Sequence, residues 1–276
     1  MNLLDFIKNI YSTYTKSTIK SHPSPKKTVI ELVQDPEVVL CRPKLVKAFD
    51  FVFTSQKDSN DVLVTQDMYD ALKKLELGIK DCGGELKINA LSRSWEKQQH
   101  LVDLHNADVE AHKLDPSKPI IHAYAAPPGG SYHQARRAID ISLGDLKFTG
   151  LEKKDWVSKL WSVYKPLGFT PIISSPDFGK SEAWHADYRG PWQHVRDKMG
   201  NVTAAKCAIL DVGNWNPKES PSKVRNMFIQ AQLLRLGQYD IGDVDGIIGK
   251  KTQDAIRKLG IVEISLNSIA LILSRM

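Results

Sequence analysis

The sequence predicts an α+β fold: a small, mostly antiparallel sheet with flanking helices, followed by a small all-α unit of three helices. Three observations carry this. Stretches with helical apolar spacing are interspersed with short alternating stretches, long loops separate the strands, and a polar stretch rich in Pro, Asn and Gly at 213–223 precedes a purely helical tail.

Taken in order, the first ten residues place Leu3, Phe6, Ile7 and Ile10 on one side of a short amphipathic helix, and Pro23 and Pro25 break the polar linker at 21–27. From Gln66, the residues Met68, Leu72, Leu75 and Ile79 fall at helical spacing, and Cys82-Gly83-Gly84 supplies the stop. Residues 86–91 alternate as a half-buried strand does, and 95–113 return to a charged helical pattern. Asp155 opens another helix, with Trp156, Leu160, Val163, Tyr164 and Leu167 on one stripe and Pro166-Leu167-Gly168 at its end. Residues 138–142 and 184–189 are two further short strands. The expected organisation is an N-terminal helix and linker at 1–27, a main domain at 28–212, a linker at 213–223 and a C-terminal domain at 224–276.

With 276 residues, 42% hydrophobic and 25% charged, the chain is long enough for two domains, and disorder, collagen and coiled coil are excluded as descriptions. The net charge of +6 favours a polyanionic surface such as nucleic acid or bacterial cell wall without choosing between them. Residues 214–276 hold nine basic and six acidic side chains, half of the excess, so no basic arm stands out. Cys41, Cys82 and Cys207 form no CxxC pair, which points to a reducing compartment and away from a thiolate cage. Asp5, Lys8 and Asn9 interrupt what a secretory peptide would keep apolar, and the run 269–273 is far short of the roughly 18 residues that span a bilayer.

The chemistry concentrates in PPGGSYHQARRAIDI (127–141) and SEAWHADYRG (181–190). A catalytic zinc takes three protein ligands of N or O type and keeps one position open, and His133, Asp140 and His185 meet that count. Alternation along 184–189 puts His185, Asp187 and Arg189 on one sheet face and Trp184, Ala186 and Tyr188 on the other. Glu182 stands on the turn before this strand, where its carboxylate can reach a water without ligating metal. Asp187 can orient an imidazole or pair with Arg189. Each imidazole should also donate its second N–H to a carboxylate or carbonyl. His100, His105 and His112 lack the i, i+4 spacing of a metal helix and are read as surface residues, and Trp192 as packing.

SYHQARRAID resembles the S-x-H-x-x-G-x-A-x-D motif of the zinc D,D-peptidase family that includes VanY-type D-alanyl-D-alanine carboxypeptidases and several phage endolysins, and EAWH resembles its E-x-W-H motif. SRSWEKQ (92–98) and WSVYKPLGF (161–169) are similar to two further segments of that family, in order, over roughly residues 40–195. The resemblance implies that His133, Asp140 and His185 bind Zn2+, that Glu182 is the general base, that Arg93 is catalytic, sharing with zinc the charge that builds on the tetrahedral oxygen, and that Ser131, Gln98 and Trp184 bind substrate. One position departs: the family's glycine is Arg136 here, which implies a locally different loop if that glycine adopts a backbone closed to other residues.

In the tail, Phe228, Ala231, Leu233 and Leu234 form one apolar stripe and Ala255, Ile256 and Leu259 another. A calcium loop aligned on Gly246 would begin at Ile241 and end at Thr252, which lacks the required acid, so calcium is set aside. Gln230, Leu233, Leu236, Gly237, Asp245, Gly246, Gly249, Thr252, Ala255 and Ile256 follow the pattern of the three-helix peptidoglycan-binding domain, which they resemble. Most of them build the fold, with Thr252 expected to cap the last helix.

The expected protein is therefore a zinc peptidase acting on peptidoglycan stem peptides or crosslinks, similar to a phage endolysin, made in a host bacterial cytoplasm and released to the wall. A D-alanyl-D-alanine carboxypeptidase is the first alternative, and a non-catalytic wall-binding or virion protein with a zinc-stabilised fold the second. Peptidoglycan is the expected partner, with no nucleic acid and no stable membrane insertion, and the oligomeric state is left open.

Overall fold

The computed structural model describes residues 40–261 and 264–276. The expected helix at 3–10 and linker at 21–27 lie outside the described residues. The element order is β1 (Leu45–Lys47), β2 (Leu63–Thr65), α1 (Gln66–Asp81), β3 (Ile88–Ala90), α2 (Trp95–Leu114), β4 (Ala138–Ile141), α3 (Trp156–Tyr164), β5 (Phe169–Pro171) and β6 (His185–Tyr188). Five helices follow: α4 (Gln193–Met199), α5 (Asn201–Asp211), α6 (Pro221–Arg235), α7 (Lys250–Lys258) and α8 (Leu266–Arg275). This is the expected α+β architecture.

The central sheet runs β3-β4-β6-β5, antiparallel throughout, while β1 and β2 form a separate antiparallel pair. Each strand of the sheet has three or four residues, so its stability comes from what covers its faces. On one face, Ile139, Ile141, Ala186 and Phe169 meet Met68, Leu72, Leu75 and Ile79 of α1 and Val157, Leu160 and Tyr164 of α3 in one buried cluster. Leu72 and Leu75 are fully buried, each contributing about 1.5–3 kcal/mol. The turn after α3 ends on Gly168, whose φ of 92° is the left-handed conformation that glycine adopts freely; a Cβ there would press on the Tyr188 ring at 3.3 Å.

On the opposite face, Ala138 joins Tyr132, Ala135 and Trp192 in a second buried cluster that runs on through α5, α6 and α8. Helices before and after 213–223 thus share one hydrophobic core. Within the tail, Gln230 is buried and organises the glycine-rich turn, donating to the carbonyls of Asp243 and Ile247 and to Asp245 Oδ1 while accepting from Gly246 N. Thr252 does not cap α7: Gly249 is the N-cap, and Thr252 lies a turn inside with its side chain buried. No helix among the described residues is long and apolar enough to cross a membrane.

The turn 131–137 contains a second departure from expectation. Its backbone is held by bonds from Gln134 N to Ser131 O, Arg136 N to His133 O and Arg137 N to Tyr132 O. Arg136 itself takes the left-handed conformation, φ 60°. The position demands glycine-like backbone, and the chain meets the demand with an arginine at a cost of about 1–2 kcal/mol rather than by rerouting the loop. Accordingly, Arg136→Gly should leave the unfolding free energy in urea within about 1 kcal/mol of the parent, relieved strain offsetting glycine's extra entropy. Arg136→Val, with a branched Cβ at positive φ, should be clearly less stable than the glycine variant. Equal stabilities for the two variants would contradict the strain argument.

Candidate metal centre

Register in the sheet assembles the centre. Asp140 on β4 and His185 on β6 are direct cross-strand partners, and Ala138 faces Asp187 one step along the same sheet face. His133 comes from the turn that feeds β4, folded back over the sheet. All three side chains are buried, and their ligand atoms form the one such group among the described residues.

The separations are 2.8 Å from Asp140 Oδ1 to His185 Nδ1, 3.2 Å from Asp140 Oδ1 to His133 Nε2, and 3.3 Å between the two nitrogens. Ligands about 2.0–2.1 Å from a tetrahedral centre stand about 3.3 Å apart. The outer nitrogens settle which lone pairs face inward. His133 Nδ1 donates to the Leu91 carbonyl at 2.5 Å, and His185 Nε2 donates to Asp187 Oδ1 at 2.9 Å. In the neutral rings, His133 Nε2, His185 Nδ1 and Asp140 Oδ1 therefore turn three lone pairs toward one point, an arrangement that repels itself until a cation or proton occupies it. The donor set of two imidazoles and one carboxylate fits a divalent transition metal such as zinc.

The electrostatics agree. Burial pushes the His133 pKa down, keeping it in the neutral form that ligates. At His185, burial opposes charging, but hydrogen bonds to Asp140 and Asp187 outweigh it and lift the pKa to about 10. Burial likewise opposes ionisation of Asp140, and the two imidazoles outweigh it, holding the carboxyl well below its ordinary range. The carboxylates that favour a proton on His185 equally favour a metal cation beside it.

Glu182 lies on the turn before β6 with φ 66°, its carbonyl accepting from His185 N at 3.1 Å. Burial raises its pKa above the ordinary carboxylate range, with Asp140 adding to the rise and His185 and Arg93 opposing it, so its carboxyl shares the field of the cluster. Arg93, in the loop between β3 and α2, places Nη2 2.9 Å from Asp140 Oδ2, the oxygen not turned toward the histidines. Gln98 is buried, donating from Nε2 to the Ala126 carbonyl at 2.7 Å and lying 3.5 Å from Arg93 Nη1. It is built in behind Arg93. Ser131 is buried at the start of the turn that carries His133. Trp184 packs on the α1 side of the sheet, away from His185, as the alternation requires.

Asp187 fills both roles open to it in the sequence, holding His185 through Oδ1 and meeting Arg189 Nη2 through Oδ2 at 3.4 Å. His105 and His112 donate to the carbonyls of His122 and Lys118 and pin the loop after α2, while His100 is exposed. Asn214, read in the sequence as part of a linker, reaches the backbone beside Arg93 and His133. Only the indole of Trp215 in an otherwise polar stretch hints at that placement. Because Asp187 fixes the His185 ring, Asp187→Asn should weaken zinc binding roughly 10-fold in a chelator competition titration, and an unchanged affinity would remove Asp187 from the centre's support.

Residues 61–191 match the family profile VanY, described as D-alanyl-D-alanine carboxypeptidase. No curated protein matches the chain. Among solved structures, the LD-carboxypeptidase LdcB, whose description concerns peptidoglycan recognition, aligns at 22% identity with a TM-score of 0.39, over 62% of this chain and 74% of that one.

Proposed function

We propose that the protein is a zinc-dependent peptidase that hydrolyses the stem peptides or crosslinks of peptidoglycan. The convergence of three buried ligand atoms from His133, Asp140 and His185, with the raised carboxyl of Glu182 in the same field, carries this reading. The VanY match over the residues that build this centre supports it.

Bound zinc supplies a Lewis acid for the scissile carbonyl and acidifies water toward a pKa of about 7. Glu182, as carboxylate, takes the proton of the attacking water and passes it to the departing amine, a role that a raised pKa favours. Arg93 holds Asp140 by its outer oxygen, which leaves the inner oxygen directed at the histidines. Asp187 and the Leu91 carbonyl hold the two rings in the tautomers that ligation needs.

A second reading, trimming of terminal D-alanine, is favoured by the description of the matched family. The chemistry at the centre is the same and the bond differs. In both readings the residue pattern from Gln230 to Ile256 marks a wall-binding unit that raises the local concentration of substrate. Mass spectrometry of digested muropeptides separates them: free D-alanine alone identifies trimming, while split stems or crosslinks identify an endopeptidase. An intact muropeptide profile would end both.

Glu182→Gln should retain zinc and the parent melting temperature while lowering kcat about 10²- to 10⁴-fold, and undiminished turnover would refute the base assignment. The raised pKa of Glu182 means that its carboxylate is lost at a higher pH than usual as the solution is acidified. The acid limb of kcat/KM should accordingly lie above the ordinary glutamate value of about 4.3, and a limb at or below it would contradict the role. Chelation should abolish hydrolysis and lower the melting temperature, with zinc restoring both; lysis that survives exhaustive chelation would remove the metal from the reaction.

A further inference from the structure

Asn214 follows α5 and meets the segments that carry Arg93 and His133. Its Nδ2 donates to two backbone carbonyls, Arg93 O and Gln134 O, each at 2.8 Å. These belong to the loop that carries Arg93 and the turn that carries His133. Two other bonds join the same segments: His133 Nδ1 to Leu91 O at 2.5 Å, and Arg93 N to His133 O at 3.1 Å. With both amide hydrogens spent, Asn214 closes the seam.

The segment is built to deliver that amide. Gly213 at φ 74° turns the chain out of α5, with Gly213 N bonded to Leu210 O and Asn214 N to Ile209 O. Arg42 Nη1 occupies the remaining space, donating to the carbonyls of Leu210 and Asp211, and a Cβ on residue 213 would stand 3.0 Å from its guanidinium carbon. Next along, the Trp215 ring packs edge-on to Trp95 with centroids 5.2 Å apart, and it would contact a Cβ on Gly129 at 3.1 Å. Trp95 begins α2 two residues after Arg93, and Gly129 lies two residues before Ser131. Residues 213–215 therefore brace both sides of the metal-binding turn.

We infer that Asn214 is a positioning residue for the zinc peptidase centre, fixing the His133 turn and the Arg93 loop relative to each other from the segment that joins α5 to α6. The inference rests on the peptidase reading above. It also makes a claim that does not depend on turnover: loss of the Asn214 amide releases the His133 ring and alters metal ligation. The segment that joins α5 to α6 thereby acts on the site directly.

The test uses the full chain with Asn214→Ala and with Asn214→Ser, which keeps one shorter donor. Cobalt-substituted protein reports ligation through its visible absorption, and steady-state kinetics on soluble muropeptide report kcat and KM separately. We expect Asn214→Ala to change the cobalt spectrum and to lower kcat about 10- to 100-fold with KM within about twofold, and Asn214→Ser to fall between it and the parent. A parent-like cobalt spectrum with parent-like kcat would overturn the inference, whatever the melting temperature. So would failure of both variants to fold, which would make Asn214 part of the framework. A parent chain without activity on muropeptides sinks the peptidase reading alone, because the cobalt comparison still decides the positioning role.

Discussion

Three donor groups converge on one buried point, and the rest of the fold is arranged to hold them there. His133, Asp140 and His185 sit within about hydrogen-bonding distance of one another, in a region where water screens their interactions poorly. Each is fixed from behind: His133 by the Leu91 carbonyl, His185 by Asp187 and Asp140 by Arg93. These outer contacts prevent the rings and the carboxylate from rotating away, so the three ligand atoms stay converged on one point.

The sheet that supports it divides the labour between its faces. Ile139, Ile141 and Ala186 point to the side covered by α1 and α3, and their burial keeps β4 and β6 in one register. The intervening residues, Asp140, His185 and Asp187, then have no freedom to slip, because a shift by one position would exchange core and site faces along the whole strand. The hydrophobic face thus determines the geometry of the polar one. This is why strands of only four residues can position ligands.

Much of this was readable from the sequence, for identifiable reasons. The helical stripes of α1 and α3 are long enough to show their period, and the alternation in 184–189 sorts His185 and Asp187 from Trp184 correctly. The acceptor for each imidazole was not, because Leu91 O is a backbone atom that any residue would offer. The strands β1, β2 and β5 are not legible in the sequence: three residues show too little alternation to stand out from a loop. Thr252 was misread because a threonine near a helix start suits a cap, while here the helix begins two residues earlier and the side chain is needed in the core. At 213–216, Gly, Asn, Trp and Asn resemble linker composition, yet the glycine serves a left-handed turn and the first asparagine serves two carbonyls. Composition alone does not separate a flexible connector from a tightly bonded turn, since both favour the same residues.

Strain follows the same distribution. Among the described residues, three that are not glycine have positive φ, and two of these, Arg136 and Glu182, lie three residues from a candidate ligand. Each would relax if its turn were free to move. The Arg136 turn is tied down by the bonds around His133 and by the bidentate pairing of Arg137 with Asp67, and the Glu182 turn by the hydrogen bond from His185 N. Local strain persists only where the surroundings over-determine the backbone. Its appearance on both flanks of the centre therefore places local strain in the two turns that carry His133 and lead into His185.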